Sequence, residues 1–186
     1  MLRHARLIAV GLMIALLITA LKLTGLWAHF SLEALREQLA AHQIEGFALF
    51  TLLFCLGNLA QVPGWIFLAA AVLALGQIAG GVTTYFAASI SCLIVFLVVR
   101  LIGGNALRKL ENSVARRILD QIDRHPVASV TLLRMVFQTM PPLNYSLALS
   151  GIALRPYLIG TLLGLPIPIA LYALFFDTLT HWLQPP

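Results

Sequence analysis

Charge is what this sequence has least of. From Gly46 to Val99 there is no Asp, Glu, Lys or Arg; from Val127 to Leu154 the only one is Arg134, and from Pro156 onward the only one is Asp177. Charged residues make up 10% of the 186 positions and hydrophobic ones 60%, whereas a soluble domain carries about 25% charge. A soluble core does not account for that deficit. The composition reads as an integral membrane protein built as a single domain.

Other absences narrow the chemistry. The chain has 2 cysteines, Cys55 and Cys92. Both sit in apolar runs without metal-ligand spacing, so they read as small hydrophobes and not as a disulfide or redox pair. There is no Gly-rich phosphate loop, no paired carboxylates and no Ser/His/Asp set, so neither an enzyme nor a cofactor or metal is expected. His4, His29, His42, His125 and His181 fall at segment ends, where solvation at the interface is the plain reading. The net charge of +5 lies beside apolar segments, which suits the positive-inside rule and not nucleic-acid binding.

What is present is a sequence of apolar segments of unequal length. Residues 7–27 form one full span; the basic Arg3 and Arg6 before it resemble a signal peptide, but no small-residue cleavage site follows. Residues 31–43, with Leu32, Leu35 and Leu39 at helical spacing, predict a surface helix. Residues 46–76 are apolar but broken at Pro63-Gly64, because proline lacks a donor and disfavours helix at the preceding residue. Residues 80–101 make a clean span, and 105–124 an amphipathic surface helix. Residues 127–152 repeat the broken pattern at Pro141-Pro142, and 156–179 make a last span softened by Pro166 and Pro168.

Pieces shorter than about 17 residues do not cross a bilayer comfortably. Each broken segment is therefore expected to be a re-entrant hairpin, entering and leaving on one side. Arg3 and Arg6 place the N-terminus in the cytoplasm, and the hairpin reading then puts Arg108, Lys109, Arg116, Arg117 and Arg124 there too, with the C-terminus outside. The expected fold is all-α and polytopic. It is an inverted repeat of two re-entrant hairpins, each followed by a transmembrane helix, plus the N-terminal helix and surface helices. Opposed repeats with broken helices point to a transporter site.

Irregular backbone at membrane depth survives only against protein or a water-filled cavity. The breaks at Pro63, Gly64, Pro141 and Pro142 thus predict a polar interior, furnished by Asn58, Gln61, Gln138 and Asn144. Amides after Pro63-Gly64 and after Pro142 are offered as anion donors. Arg134 stays charged at membrane depth and either binds a phosphate or carboxylate, caps carbonyls freed by the break, or pairs with Asp177. Arg100 reads as an interfacial anchor or a second headgroup contact.

These same stretches carry a family resemblance. "VPGWIFLAAAVLALGQIAGG" with "FLVVRLIGG", "LLRMVFQTMPPLNYSLALSGI" and "YLIGTLLGLPIPIALY" resemble the DedA-like superfamily, also called VTT-domain or SNARE-associated Golgi proteins, closest to its bacterial TVP-type branch. Phe96 and Arg100 followed by Gly103, and Arg134 followed by the proline turn, Tyr145 and Gly151, match family motifs. The resemblance implies two opposed re-entrant hairpins in a bacterial inner membrane and a role in moving or flipping lipids, or in transport linked to the proton gradient. Two positions depart from it. The first hairpin has Asn58 and Gln61 where DedA proteins proper carry acids, and Phe137 stands where a proline often follows the arginine.

The expected function is a transporter or flippase-like protein that moves an anionic lipid, a phospholipid or polyprenyl phosphate. Arg134, Asn144, Arg100, Gln61, Asn58 and Gln138 are its candidate binding residues. Membrane lipids are the expected partners, and homo-oligomerisation is left open. A non-transporting scaffold and a small-ion or solute channel are the alternatives.

Overall fold

The computed structural model describes residues 2–23, 43–109 and 113–183. The surface helix expected over 31–43 falls outside them except for its last residue. The described chain is all-helical. Helix α1 covers Leu2–Leu23, α2 Gln43–Leu59, α3 Gly64–Leu75 and α4 Gln77–Gly103. After a 3-10 turn at Ala106–Lys109 come α5 at Ser113–Arg124, α6 at Pro126–Phe137, α7 at Pro141–Leu149, α8 at Leu154–Gly164 and α9 at Pro166–Leu183.

Two described apolar stretches are long enough to cross a membrane: Gln77–Gly103, and Leu154–Leu179, which is α8 joined to α9. Leu165 alone separates those two helices, because Pro166 and Pro168 bring no N–H to the ladder. Helix α4 shows membrane patterning. Its outward stripe of Ile78, Val82, Phe86, Ile90, Ile94 and Leu97 is exposed and apolar, while Thr84, Ser91 and Cys92 are buried. In water the two faces would be exchanged.

The two broken segments are built alike. Gln61 (φ 68°) and Gln138 (φ 50°) turn the chain through the left-handed region just before Pro63 and Pro141. Gly76 (φ 83°) and Gly151 (φ 84°) close the short helices that follow, a conformation glycine adopts without a side-chain clash. The sequence Gln, Pro, short helix, Gly, long helix therefore occurs twice.

Contacts fix the relative directions. A Cβ on Gly160 would stand 2.6 Å from the Val130 Cβ, and one on Gly164 would stand 2.6 Å from the Arg134 Cβ. Four residues along α8 correspond to four along α6, so these helices run in the same sense. The Tyr85 hydroxyl donates to the Leu162 carbonyl at 3.2 Å, and the Tyr157 hydroxyl to the Cys92 carbonyl at 2.9 Å. Helices α4 and α8 are accordingly antiparallel. Helix α7 runs with α4, since Asn144 meets Cys92 while the Ala148 carbonyl meets Arg100. In the first unit, Gly57 packs on Phe67, and the place for a Gly80 Cβ lies 2.6 Å from the Ala71 carbonyl, so the chain folds back at each turn.

The stretch expected as one helix over 105–124 is divided. Gly104, at φ 57°, ends α4, and the chain enters a 3-10 turn that points Arg108 inward before α5 begins. Two apolar clusters flank the centre. One is built on Phe50, Phe54 and Phe67, with the last two rings stacked 4.7 Å apart. The other centres on Val95, Phe96 and Tyr157, whose rings stack at 4.2 Å. The polar residues lie where the units meet.

Candidate functional site

Arg134 sits one turn before the end of α6. The carbonyl of Gln138, four residues on, faces a position where Pro142 has no N–H to offer, and the Arg134 guanidinium takes that role through Nη1 at 2.9 Å. Helix α8 supplies the remaining partners. Tyr157, Gly160, Thr161 and Gly164 recur at helical spacing on one face. The two glycines let α6 approach until its backbone and Cβ atoms touch α8. That approach brings Arg134 Nε to the Thr161 hydroxyl at 3.3 Å and Nη2 to the Tyr157 hydroxyl at 2.8 Å.

From Tyr157 the polar groups continue across the molecule. Tyr157 donates to the Cys92 carbonyl, and the Cys92 thiol lies 3.6 Å from Asn144 Oδ1. Asn144 Nδ2 donates to Asn58 Oδ1 at 2.8 Å, and Asn58 Nδ2 donates to the Ser91 hydroxyl at 3.1 Å. Ser91 ends the chain on the Phe54 carbonyl. Arg134, Asn144, Ser91, Cys92, Tyr157 and Thr161 are fully buried, and Asn58 is 1% exposed. One continuous chain thus joins the first break to the second. The breaks also touch directly: Thr139 presses on Gly64, and the Tyr145 hydroxyl donates to the Leu59 carbonyl at 2.7 Å.

The electrostatics are unusual. All three hydrogen bonds of Arg134 go to neutral groups, and none goes to Asp177. A guanidinium carries five N–H donors, and in Gln138, whose carbonyl it caps, the buried amide nitrogen has no partner. A buried charge costs several kcal/mol unless it is well paired. Here neutral acceptors offset only part of that cost, which leaves a closed site with spare donors and positive charge. An oxyanion is the ligand such a site suits.

The remaining candidates have other surroundings. Gln61 is half-buried at the first break. Arg100 does not reach outward: it donates to the Ala148 carbonyl and, at 2.8 Å, to the Ile152 carbonyl, with its guanidinium 4.8 Å over the Phe96 ring. It caps the C-terminal end of α7, where carbonyls lack helical partners. Arg108 does the same at the Ser150 carbonyl, 2.6 Å away, and is itself held by Asp123 of α5. Gly151 sits against Arg108, and Gly103 makes room for Leu149. The amides after Pro142 are not anion donors. Pro141 and Pro142 have none, and those of Leu143 and Asn144 bond to the Met140 carbonyl at 3.0 and 3.2 Å.

Sequence reasoning missed Tyr157, Thr161, Ser91 and Arg108 as members or supports of this cluster. The Gly160-x-x-x-Gly164 spacing, a close-packing pattern in membrane helices, is the signal that marks the α8 face. A groove of about 500 Å³ between α4 and α9, lined by Gln77, Tyr85, Pro166 and Ile169 among others, does not include Arg134 in its lining.

No curated protein matches the chain, and no solved structure does. The VTT-domain family model matches residues 62–178, from the first break to the end of α9's apolar stretch. That is more than half of the chain, and it contains both breaks and the buried arginine. The protein is therefore a membrane protein that belongs to the VTT-domain family of the DedA-like superfamily.

Proposed function

We propose that this is a transporter or flippase-like protein that passes the headgroup of an anionic lipid, a phospholipid or polyprenyl phosphate, between two opposed re-entrant hairpins of a bacterial inner membrane. Support for the hairpins comes from register. Helix α8 runs with α6 and begins level with its start, so α7 has to carry the chain back. The two reversals at Gly57–Phe67 and at Ala71–Gly80 give the first unit the same course. Since α8 opposes α4, the units are opposed as well. In this reading the 105–124 stretch is cytoplasmic, and so is the N-terminus.

The observation that carries the reading is Arg134, wholly buried where the breaks meet and bonded only to neutral groups. When the helices part, the guanidinium exchanges neutral acceptors for an anionic phosphate, which adds charge attraction and bidentate geometry to its hydrogen bonds. The Gln138 amide adds a donor. When the phosphate leaves, Thr161, Tyr157 and the Gln138 carbonyl take the guanidinium back, so the arginine is never left bare. Reversible exchange of this kind suits passage better than tight retention.

The test is transbilayer flux in proteoliposomes with a labelled anionic phospholipid and, separately, a labelled polyprenyl phosphate. Wild type should move at least one of them, and Arg134→Ala should lower the rate at least tenfold. An unchanged rate in a folded Arg134→Ala protein rejects the assignment. Conductance without lipid movement identifies a channel instead.

A further inference from the structure

We propose that the seam between α2 and α4 is the gate through which water, and behind it the anionic headgroup, reaches the buried polar chain; this rests on the transport reading above. Helical hydroxyls in this protein fold back onto the carbonyl four residues earlier. Thr19, Ser89, Thr131 and Thr178 do so at 2.7 to 2.9 Å. Thr51 and Thr84 do not. Their Oγ1 atoms are buried without a partner, in residues only 8% and 2% exposed.

Their positions are related. Thr51 precedes Asn58 by two turns on α2, and Thr84 precedes Ser91 by two turns on α4. Asn58 and Ser91 are bonded to each other, and the two helices run in the same sense. By helical periodicity both orphaned hydroxyls therefore fall on the faces that carry Asn58 and Ser91, between the polar chain and the ends at Gln43 and Gln77. Cys55 and Ala88, both small and buried, fill the interval. The corresponding seam between α6 and α8 differs. Gly160 and Gly164 close it by backbone contact, and there Thr131 is paired and Thr161 accepts from Arg134.

Energetics choose between the two seams. An unpaired buried hydroxyl keeps an uncompensated desolvation cost, and water removes it. Opening α2 from α4 thus recovers part of what it loses in packing. Parting α6 from α8 would hydrate the spare donors of Arg134, but it breaks two of its bonds and pulls apart the backbone contacts closed by Gly160 and Gly164. The seam with orphaned hydroxyls is the easier one to hydrate, and it leads directly to Asn58 and Asn144.

The native Cys55 reports on this without mutation when its labelling is resolved from that of Cys92 by peptide mass spectrometry. An anionic methanethiosulfonate is attacked by thiolate, which needs water; a mixed disulfide forms and sulfinate leaves. In proteoliposomes, Cys55 of the wild type should be labelled at least tenfold faster than the added thiol of a lipid-facing Leu97→Cys variant. A Thr51→Val, Thr84→Val double variant keeps the side-chain shape and removes the hydroxyls. Its melting temperature should hold or rise while Cys55 labelling and lipid flux both fall about tenfold. A raised melting temperature with labelling and flux unchanged overturns the proposal. So does an inert Cys55 in a protein whose flux still depends on Arg134, which leaves the transport reading intact. Labelling that depends on the hydroxyls, in a protein whose flux ignores Arg134, rejects the transport reading and supports the water route.

Discussion

Asn144 donates to Asn58 across 2.8 Å, joining two helices 86 positions apart in sequence. Asn144 Nδ2 satisfies Asn58 Oδ1 where the broken segments meet, Asn58 Nδ2 goes on to Ser91, Asn144 Oδ1 accepts from the Cys92 thiol, and both side chains are buried. Asn58→Leu or Asn144→Leu should each cost about 1–3 kcal/mol, because the partner is left buried and unpaired. The double variant should cost less than the sum by roughly 0.5–3 kcal/mol. Reversible unfolding in detergent measures the cycle, and additivity would show that the bridge carries no energy.

Arg134→Met separates stability from transport. Replacing an incompletely paired buried charge with an apolar side chain of similar length removes its desolvation cost, set against one carbonyl, that of Gln138, left unpaired. The melting temperature should hold or rise, while flux falls at least tenfold. A strongly destabilised but active Arg134→Met protein would assign the arginine to the fold alone.

Gly164→Ala places a methyl 2.6 Å from the Arg134 Cβ and from the Thr131 carbonyl. Overpacking of this kind costs about 1–3 kcal/mol, and it pushes Arg134 away from Thr161. Gly81→Ala is the control: its nearest neighbour is the Ala173 Cβ at 3.7 Å, so the change should be neutral or stabilising by up to about 1 kcal/mol through helix propensity. Thermal unfolding of the two variants, run side by side, makes the comparison.

Arg108 and Asp123 are unequal partners. Their ion pair is solvent-accessible, at 38% and 45% exposure, and such pairs contribute about 0–1 kcal/mol. Asp123→Ala should therefore be mild, with an effect that shrinks as salt rises. Arg108→Ala also frees the Ser150 carbonyl and should cost about 1.5–3 kcal/mol. The hydrogen bond to Asp123 pushes the Arg108 pKa up. A raised basic group keeps its contribution until pH passes its folded pKa, so this one does not titrate over the working range. Salt, not pH, is the variable to scan.

Much of the fold was legible because prolines act locally. Pro63 and Pro141 interrupt helices wherever they sit, and the breaks fall there. Arg134 was conspicuous because an isolated charge in an apolar run has few explanations. Its partners were not legible. Tyr157 and Thr161 meet it only because two glycines let α8 approach α6, a consequence of packing that residue type alone does not reveal. Arg100 and Arg108 read as surface charges, because nothing in the sequence shows that the end of α7 lies within their reach. The anion-binding amides expected after Pro142 are engaged for a local reason: those of Leu143 and Asn144 already bond to the Met140 carbonyl, and Pro141 and Pro142 bring none.

Helix α7 begins with two residues that have no N–H, and its far end is covered by two guanidinium groups. Its main chain therefore has few free polar groups to offer a ligand. Under the proposed lipid-transport reading, discrimination at this tip falls to side chains such as Arg134 and Gln138, and those can be exchanged one codon at a time without rebuilding the scaffold.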